Sequence, residues 1–200
     1  MRLFVAARPP AATIVDLEAL VTPLRAAHPE LAWTLPAQWH LTLVFLAEVA
    51  SERLPELERR LERVAGRHPP ARVWFGGAGR FGDRVLFVTV AGDTAALRRL
   101  AGSVQAAARR IGLDVEDRPY RAHLTLARAR SGSGVRALTT AVGAFRGVEW
   151  PVAQIELVRS RLGQAPDQHA VHDTLGTWPL TGAPRGRPGD HVPGAGPARA

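Results

Sequence analysis

His40-Leu41-Thr42-Leu43 and His123-Leu124-Thr125-Leu126 are one tetrapeptide met twice, 83 residues apart. The chain holds seven histidines in 200 residues, too few for chance to account for the repeat, so it marks two copies of one structural unit. The period is too long for a solenoid and suits two halves of a small domain. On a strand, successive side chains point to opposite faces and residues i and i+2 share one. His40 and Thr42 then share a face, as do His123 and Thr125, while Leu41, Leu43, Leu124 and Leu126 take the other. The leucine face belongs in a core. The open face carries an imidazole and a hydroxyl roughly 7 Å apart. Two such strands about a pseudo-two-fold axis line a cleft with two histidines and two threonines.

That set suits acid–base chemistry on a phosphodiester. A neutral imidazole can take a proton from water while an imidazolium protonates a leaving oxygen on the other side. Threonine hydroxyls donate to anionic oxygens without adding charge. A half-buried His-Thr pair with a purely local role is the plain reading of one copy. In two copies, a structural repeat would preserve only the leucines. Zinc would need a third or fourth donor, and the chain has no Cys and no His-Glu-x-x-His motif, so no metal and no cofactor is expected.

The residues around the repeats carry a resemblance. Trp39-His40-Leu41-Thr42-Leu43-Val44-Phe45-Leu46 and Arg118-Pro119-Tyr120-Arg121-Ala122-His123-Leu124-Thr125-Leu126-Ala127-Arg128 resemble the two-histidine phosphoesterases. Within these they look like the RNA 2′,3′-cyclic phosphodiesterases, also called 2′-5′ RNA ligases. Gly79-Arg80-Phe81, Arg84-Val85-Leu86-Phe87 and Val158-Arg159-Ser160-Arg161-Leu162 support it, and the likeness runs from Arg2 to Leu180. One departure is His172, where the family commonly has tyrosine. The resemblance implies an α+β fold of two pseudo-symmetric lobes, with antiparallel sheets facing across a central cleft and helices outside. Pattern alone leaves a parallel α/β sheet open.

It also implies roles. His40 and His123 would be the catalytic pair, His40 as acid and His123 as base, although pseudo-symmetry lets either face either side. Thr42, Thr125 and Arg128 would bind phosphate. Arg128 lies an odd five residues after His123, so a twist or the strand end must turn it to the cleft. Tyr120 and Phe45 are candidates for base stacking, but Phe45 shares the parity of Leu41 and Leu43, which predicts a core residue. Arg118 and Arg121 could steer an RNA strand. The implied substrate is an RNA end with a 2′,3′-cyclic phosphate, opened to a 2′-phosphate with possible reversal to a 2′-5′ linkage. Alternatives are a cyclic phosphodiesterase for small nucleotides such as ADP-ribose 1″,2″-cyclic phosphate, or a non-catalytic RNA-binding module.

A net charge of +8, carried wholly on arginine, is compatible with an anionic partner. Several arginines sit among acids, as in Glu56-Leu57-Glu58-Arg59-Arg60-Leu61-Glu62-Arg63, which reads as a solvated helix face. No apolar run reaches the length of a membrane span and no signal sequence opens the chain. A cytoplasmic monomer is expected.

Strands are expected at Leu3–Ala7, Trp39–Leu46, Arg72–Gly77, Val85–Val90, Ala122–Ala127, Val152–Arg161 and His172–Leu180. Helices are expected from Thr13, from Ser51 to about Gly66, from Asp93 to Gly112, and from Val135 to Phe145. Gly76-Gly77 and Gly79 read as a turn. No Lys-Ser/Thr follows them, which excludes a P-loop. Ser131 to Gly134 and Gly163 to Gln168 read as connectors. The domain is expected over 1–181, with a disordered tail rich in Pro, Gly, Ala and Arg over 182–200.

Overall fold

The computed structural model describes residues 1–129, 134–161 and 170–184. The connectors at 131–134 and 163–168 fall largely or wholly outside them, and the expected tail lies outside from residue 185 on. Nine strands and four helices are present among the described residues: β1 (Arg2–Ala7), α1 (Ala11–Ala27), β2 (Ala32–Trp33), β3 (Leu41–Glu48), α2 (Leu54–Ala65), β4 (Ala71–Phe81), β5 (Val85–Gly92), α3 (Thr94–Arg109), β6 (His123–Arg128), α4 (Leu138–Gly143), β7 (Trp150–Val152), β8 (Gln154–Arg161) and β9 (Val171–Pro179). They form two sheets, ordered β3-β1-β8-β9 and β2-β6-β5-β4-β7. Every strand pair is antiparallel, which closes the parallel alternative. Each motif strand lies in a different sheet.

The leucine faces behave as alternation requires. Leu41, Leu124 and Leu126 are fully buried, and Leu43 nearly so. They join one core with Leu57 and Leu61 of α2 and with Leu97, Leu100 and Val104 of α3. A separate small cluster of Phe4, Ala6 and Val158 lies on the other face of the first sheet.

Several local expectations change. Helix α1 starts at Ala11 with the extended Pro10 as its N-cap, whose carbonyl accepts the first helical bond from the Ile14 N–H at 3.1 Å; Thr13 is buried within the first turn. Ser51–Arg53 is a 3₁₀ turn leading into α2. Asp93 does precede α3, but its carboxylate accepts from the Arg72 backbone N–H instead of capping the helix. The glycines after Phe75 are not a turn. Strand β4 runs through them, with a register shift between Phe75 and Ala78 where Gly77 takes φ 78°, a value glycine adopts without strain. The chain turns instead at Gly82, with φ 55°. The expected strand Val152–Arg161 is two strands, broken at Ala153: β7 closes the second sheet and β8 enters the first.

Gly79 has a packing reason. A Cβ there would overlap the ring edge of Phe87, which is itself fully buried. Gly79→Ala should therefore destabilise the protein by about 1–3 kcal/mol through overpacking. Urea unfolding of the variant would measure it, and a midpoint equal to wild type would show that the ring has room to move.

Candidate active site

Two register shifts build the site. In β3 pairing with β1, Val5 faces Val44 and Ala6 faces Thr42, so Leu43 is an extra residue. In β6 pairing with β5, Leu86 faces Ala127 and Phe87 faces Thr125, so Leu126 is an extra residue. The two bulges are again 83 positions apart. A bulge inserts one residue and resets the alternation beyond it. Leu43 and Val44 therefore both point to the core, as do Leu126 and Ala127. Phe45 and Arg128 emerge on the same face as the His-Thr pairs. The parity that separated Arg128 from His123 is thereby resolved. The matching bulge at Leu43 overturns the core reading of Phe45, which is 55% exposed and whose ring lies 6.0 Å from that of Phe4.

Both histidines are held alike. His40 Nδ1 lies 2.5 Å from the Gln38 carbonyl oxygen, and His123 Nδ1 lies 2.7 Å from that of Arg121. Each partner is two residues upstream. A carbonyl only accepts, so Nδ1 holds the proton and Nε2 carries the lone pair of the neutral ring. Each imidazole also leans on aromatic rings. His40 stacks on Phe4 at 4.7 Å. His123 meets Phe81 and Phe87, each at 5.0 Å. The Arg121 guanidinium lies over Phe87 at 4.9 Å.

A hydrogen-bond relay joins the motifs. Trp39 Nε1 donates to Thr34 Oγ1 at 3.0 Å, and Thr34 Oγ1 donates to the Thr125 carbonyl at 2.8 Å. The residue before one histidine is thus tied to the threonine of the other motif.

Burial governs the charges. Desolvation takes the His40 pKa down to about 4, against the Gln38 hydrogen bond that favours the charged ring; charge at His172, Arg8 and His123 lowers it further. His123 is also lowered, first by desolvation and then by Arg121 and Arg128, while its bond to Arg121 opposes the shift. Both rings are therefore neutral in the protein at pH 7.

The structure puts His40 and Thr42 on one face beside and along β3, and His123, Thr125 and Arg128 on one face of β6, with His123 near enough to His40 to act on its charge and Arg128 to act on that of His123. Tyr120, three residues before His123, is partly buried. It packs against the core and lines a cavity of about 210 Å³ with Thr89, Thr94, Arg98 and Arg121. Burial raises its phenol pKa. Sequence reading missed Arg8, although Phe4, Ala6 and Arg8 follow the same period of two. Arg8 Nε donates to Glu156 Oε2 at 2.7 Å and its Nη1 to the Ala37 carbonyl at 3.0 Å. Glu156, nearly buried, also accepts from Thr174 Oγ1 at 3.1 Å. Among the described residues, no group of three or more His, Cys, Asp or Glu is placed to hold a metal ion, and no helix is long and apolar enough to cross a membrane.

A family model described as the 2′-5′ RNA ligase superfamily matches residues 9–164, both motifs included. The chain belongs to that superfamily. A relative from Geobacillus stearothermophilus, described as an RNA 2′,3′-cyclic phosphodiesterase, is 29% identical over 167 residues, 79% of this chain and 50% of its own. This chain thus spans half the length of that relative. A second, of the same description, from Thermus thermophilus is 31% identical over 81% of this chain and 83% of its own. Among solved structures, one of a Thermus thermophilus protein matches with a TM-score of 0.73 and 30% identity, over 91% of this chain and 99% of that one. The superfamily's two-sheet fold is the one described above.

The low His40 pKa makes stability depend on pH. The folded value lies below the ordinary 6.5, so the unfolded chain binds the proton more readily. Stability is full above pH 6.5 and falls as pH drops toward 4. The loss should reach about 3 kcal/mol. Urea titrations of wild type and His40→Gln at pH 7 and 4.5 test this, with the variant losing distinctly less; equal losses would refute it.

Proposed function

We propose that this protein hydrolyses RNA-terminal 2′,3′-cyclic phosphates to 2′-phosphates without a metal ion, using His40 and His123 as acid and base. The observation that carries this reading is the matched pair of imidazoles, each fixed through Nδ1 to the carbonyl two residues before it. Two Nε2 atoms prepared in the same way on facing sheets are what in-line attack and departure at one phosphorus require. The descriptions of the relatives as RNA 2′,3′-cyclic phosphodiesterases support the substrate class.

In this reading His123 Nε2 takes a proton from water as its oxygen bonds to phosphorus. The bond from phosphorus to the ribose 3′ oxygen breaks, and His40 gives that oxygen a proton. The product has a 2′-phosphate and a free 3′-hydroxyl. Thr42 and Thr125 donate to the non-bridging oxygens, and Arg128 adds charge beside His123. With the 5′-hydroxyl of a second RNA in place of water, the same groups attach that oxygen to the cyclic phosphorus as a 2′-5′ linkage, the 3′ oxygen again leaving with a proton, and water in excess favours hydrolysis. The exposed rings of Phe45 and Phe81 flank the histidines and suit stacking on bases.

The neutral state of both rings sets a condition. With a pKa of about 4, His40 is protonated in only about one free molecule in a thousand at pH 7. The anionic phosphate must raise that value as it binds, since a nearby negative charge favours the imidazolium. For the free protein, kcat/KM should therefore rise as pH falls from 7, until His123 is itself protonated below its ordinary range. The optimum should lie on the acid side of pH 6.5. A pH–rate profile on a short RNA ending in a 2′,3′-cyclic phosphate measures this, and an optimum above pH 7.5 would contradict it.

His40→Ala and His123→Ala should each lower turnover by about 10²–10⁴-fold while keeping the fold. Activity should survive excess EDTA, and phosphorus NMR should show the 2′-phosphate product. Near-normal turnover in either variant would sink the paired-histidine mechanism. Loss on chelation with recovery by a divalent ion would replace it with metal catalysis.

A further inference from the structure

We propose that His172 is a third working histidine of the cleft, a substrate-binding residue whose Nε2–H donates to a non-bridging oxygen of the bound phosphate. This rests on the cyclic phosphodiesterase reading for its substrate, and on geometry for its site. His172 stands on β9 opposite Ser160 of β8. Its ring lies 5.2 Å from His40 and 5.2 Å from Phe4, edge-on to both. With the 4.7 Å stack of Phe4 on His40, three rings close a triangular box that includes the His40 imidazole.

A phenylalanine would complete that box equally well. Histidine adds two nitrogens, and they differ. Nδ1 is sealed from solvent with no hydrogen-bond partner. An anion takes an N–H from the nitrogen it meets, so the ring that receives a phosphate carries its proton on Nε2. Nε2 is not among the sealed, partnerless atoms, and it is the nitrogen left to meet a ligand. The neighbouring His40 is of opposite character: its Nδ1–H is committed to Gln38, and its Nε2 is an acceptor. The nitrogen that carries a proton to the leaving oxygen thus stands beside a donor for the phosphate.

The surroundings select an anion. The Arg8 cation acts on His172 and on His40. The Asp173 carboxylate beside it in sequence is engaged by Arg159 at 3.0 Å and Arg161 at 2.8 Å. Glu156 is taken by Arg8 and Thr174. The carboxylates near this side of the cleft are thus already paired, which leaves the imidazole edge to an incoming negative group.

Two variants separate donor from packing. His172→Tyr keeps a ring and a donor; His172→Phe keeps the ring alone. The full-length proteins are compared by calorimetric titration with inorganic phosphate and by steady-state kinetics on the short cyclic-phosphate RNA. His172→Phe should raise the phosphate Kd and the substrate KM about tenfold, the loss of one hydrogen bond to a charged group, with kcat within about threefold of wild type. His172→Tyr should stay within about threefold in all three. Should His172→Phe fail to fold, His172→Leu serves the same comparison. The proposal is overturned if the donorless variant binds phosphate like wild type, if tyrosine and phenylalanine lose equally, or if kcat alone falls, which would mean that His172 only packs against His40. A wild type that binds phosphate without opening the cyclic ester would refute the activity, and the phosphate titrations would still decide His172.

Discussion

The leucines of the two motif strands decide where the polar residues can go. Leu41, Leu124 and Leu126 have no exposed surface, and Leu43 almost none. Returning one such side chain to water costs about 1.5–3 kcal/mol. A slip of one residue in either strand would expose its whole set at once and drive the histidine inward. The placement of the histidines is thus secured from behind, by apolar groups that never meet a substrate. The polar contacts then adjust the rings within limits set by the core.

Two kinds of fine adjustment act on that frame. The bulges at Leu43 and Leu126 turn one further residue per strand into the cleft. On one side this is an aromatic ring, Phe45; on the other a guanidinium, Arg128. The pseudo-symmetric scaffold thereby becomes chemically polar, with stacking surface beside His40 and positive charge beside His123. The relay from Trp39 through Thr34 to the Thr125 carbonyl fixes how far apart the two motifs sit. Its loss would leave the buried Trp39 N–H unpaired, at about 1–3 kcal/mol.

The repeats, the leucine faces and the pairing of His with Thr were legible in the sequence because alternation is a property of side-chain type. The bulges were not, since an inserted leucine looks like any other leucine. This is why Phe45 reads as core and Arg128 reads as misplaced until the register is known. The glycines of β4 misled for a related reason. Gly79 gives way to the Phe87 ring of the neighbouring strand, a demand set by a residue eight positions away. The break at Ala153 was equally hidden, because Trp150 to Arg161 is one apolar-rich run whose halves serve different sheets. Arg8 and His172 draw their meaning from neighbours in space, His40 above all, and no local pattern announces them.

The strand order carries a kinetic consequence. The first sheet pairs Leu3 with Arg159, nearly the full described chain apart, while the second sheet takes β4, β5, β6 and β7 from one continuous stretch together with β2. Neighbouring strands such as β4 and β5 can zip early, whereas closing β1 on β8 must wait for a long loop to be bridged. His123 belongs to the sheet that forms from nearby strands. His40 and His172 belong to the one that needs the β1–β8 closure. The two imidazoles of a matched pair thus rest on chain closures of unequal length: one sheet is drawn mostly from a single stretch, and the other is held together by joining β1 to β8.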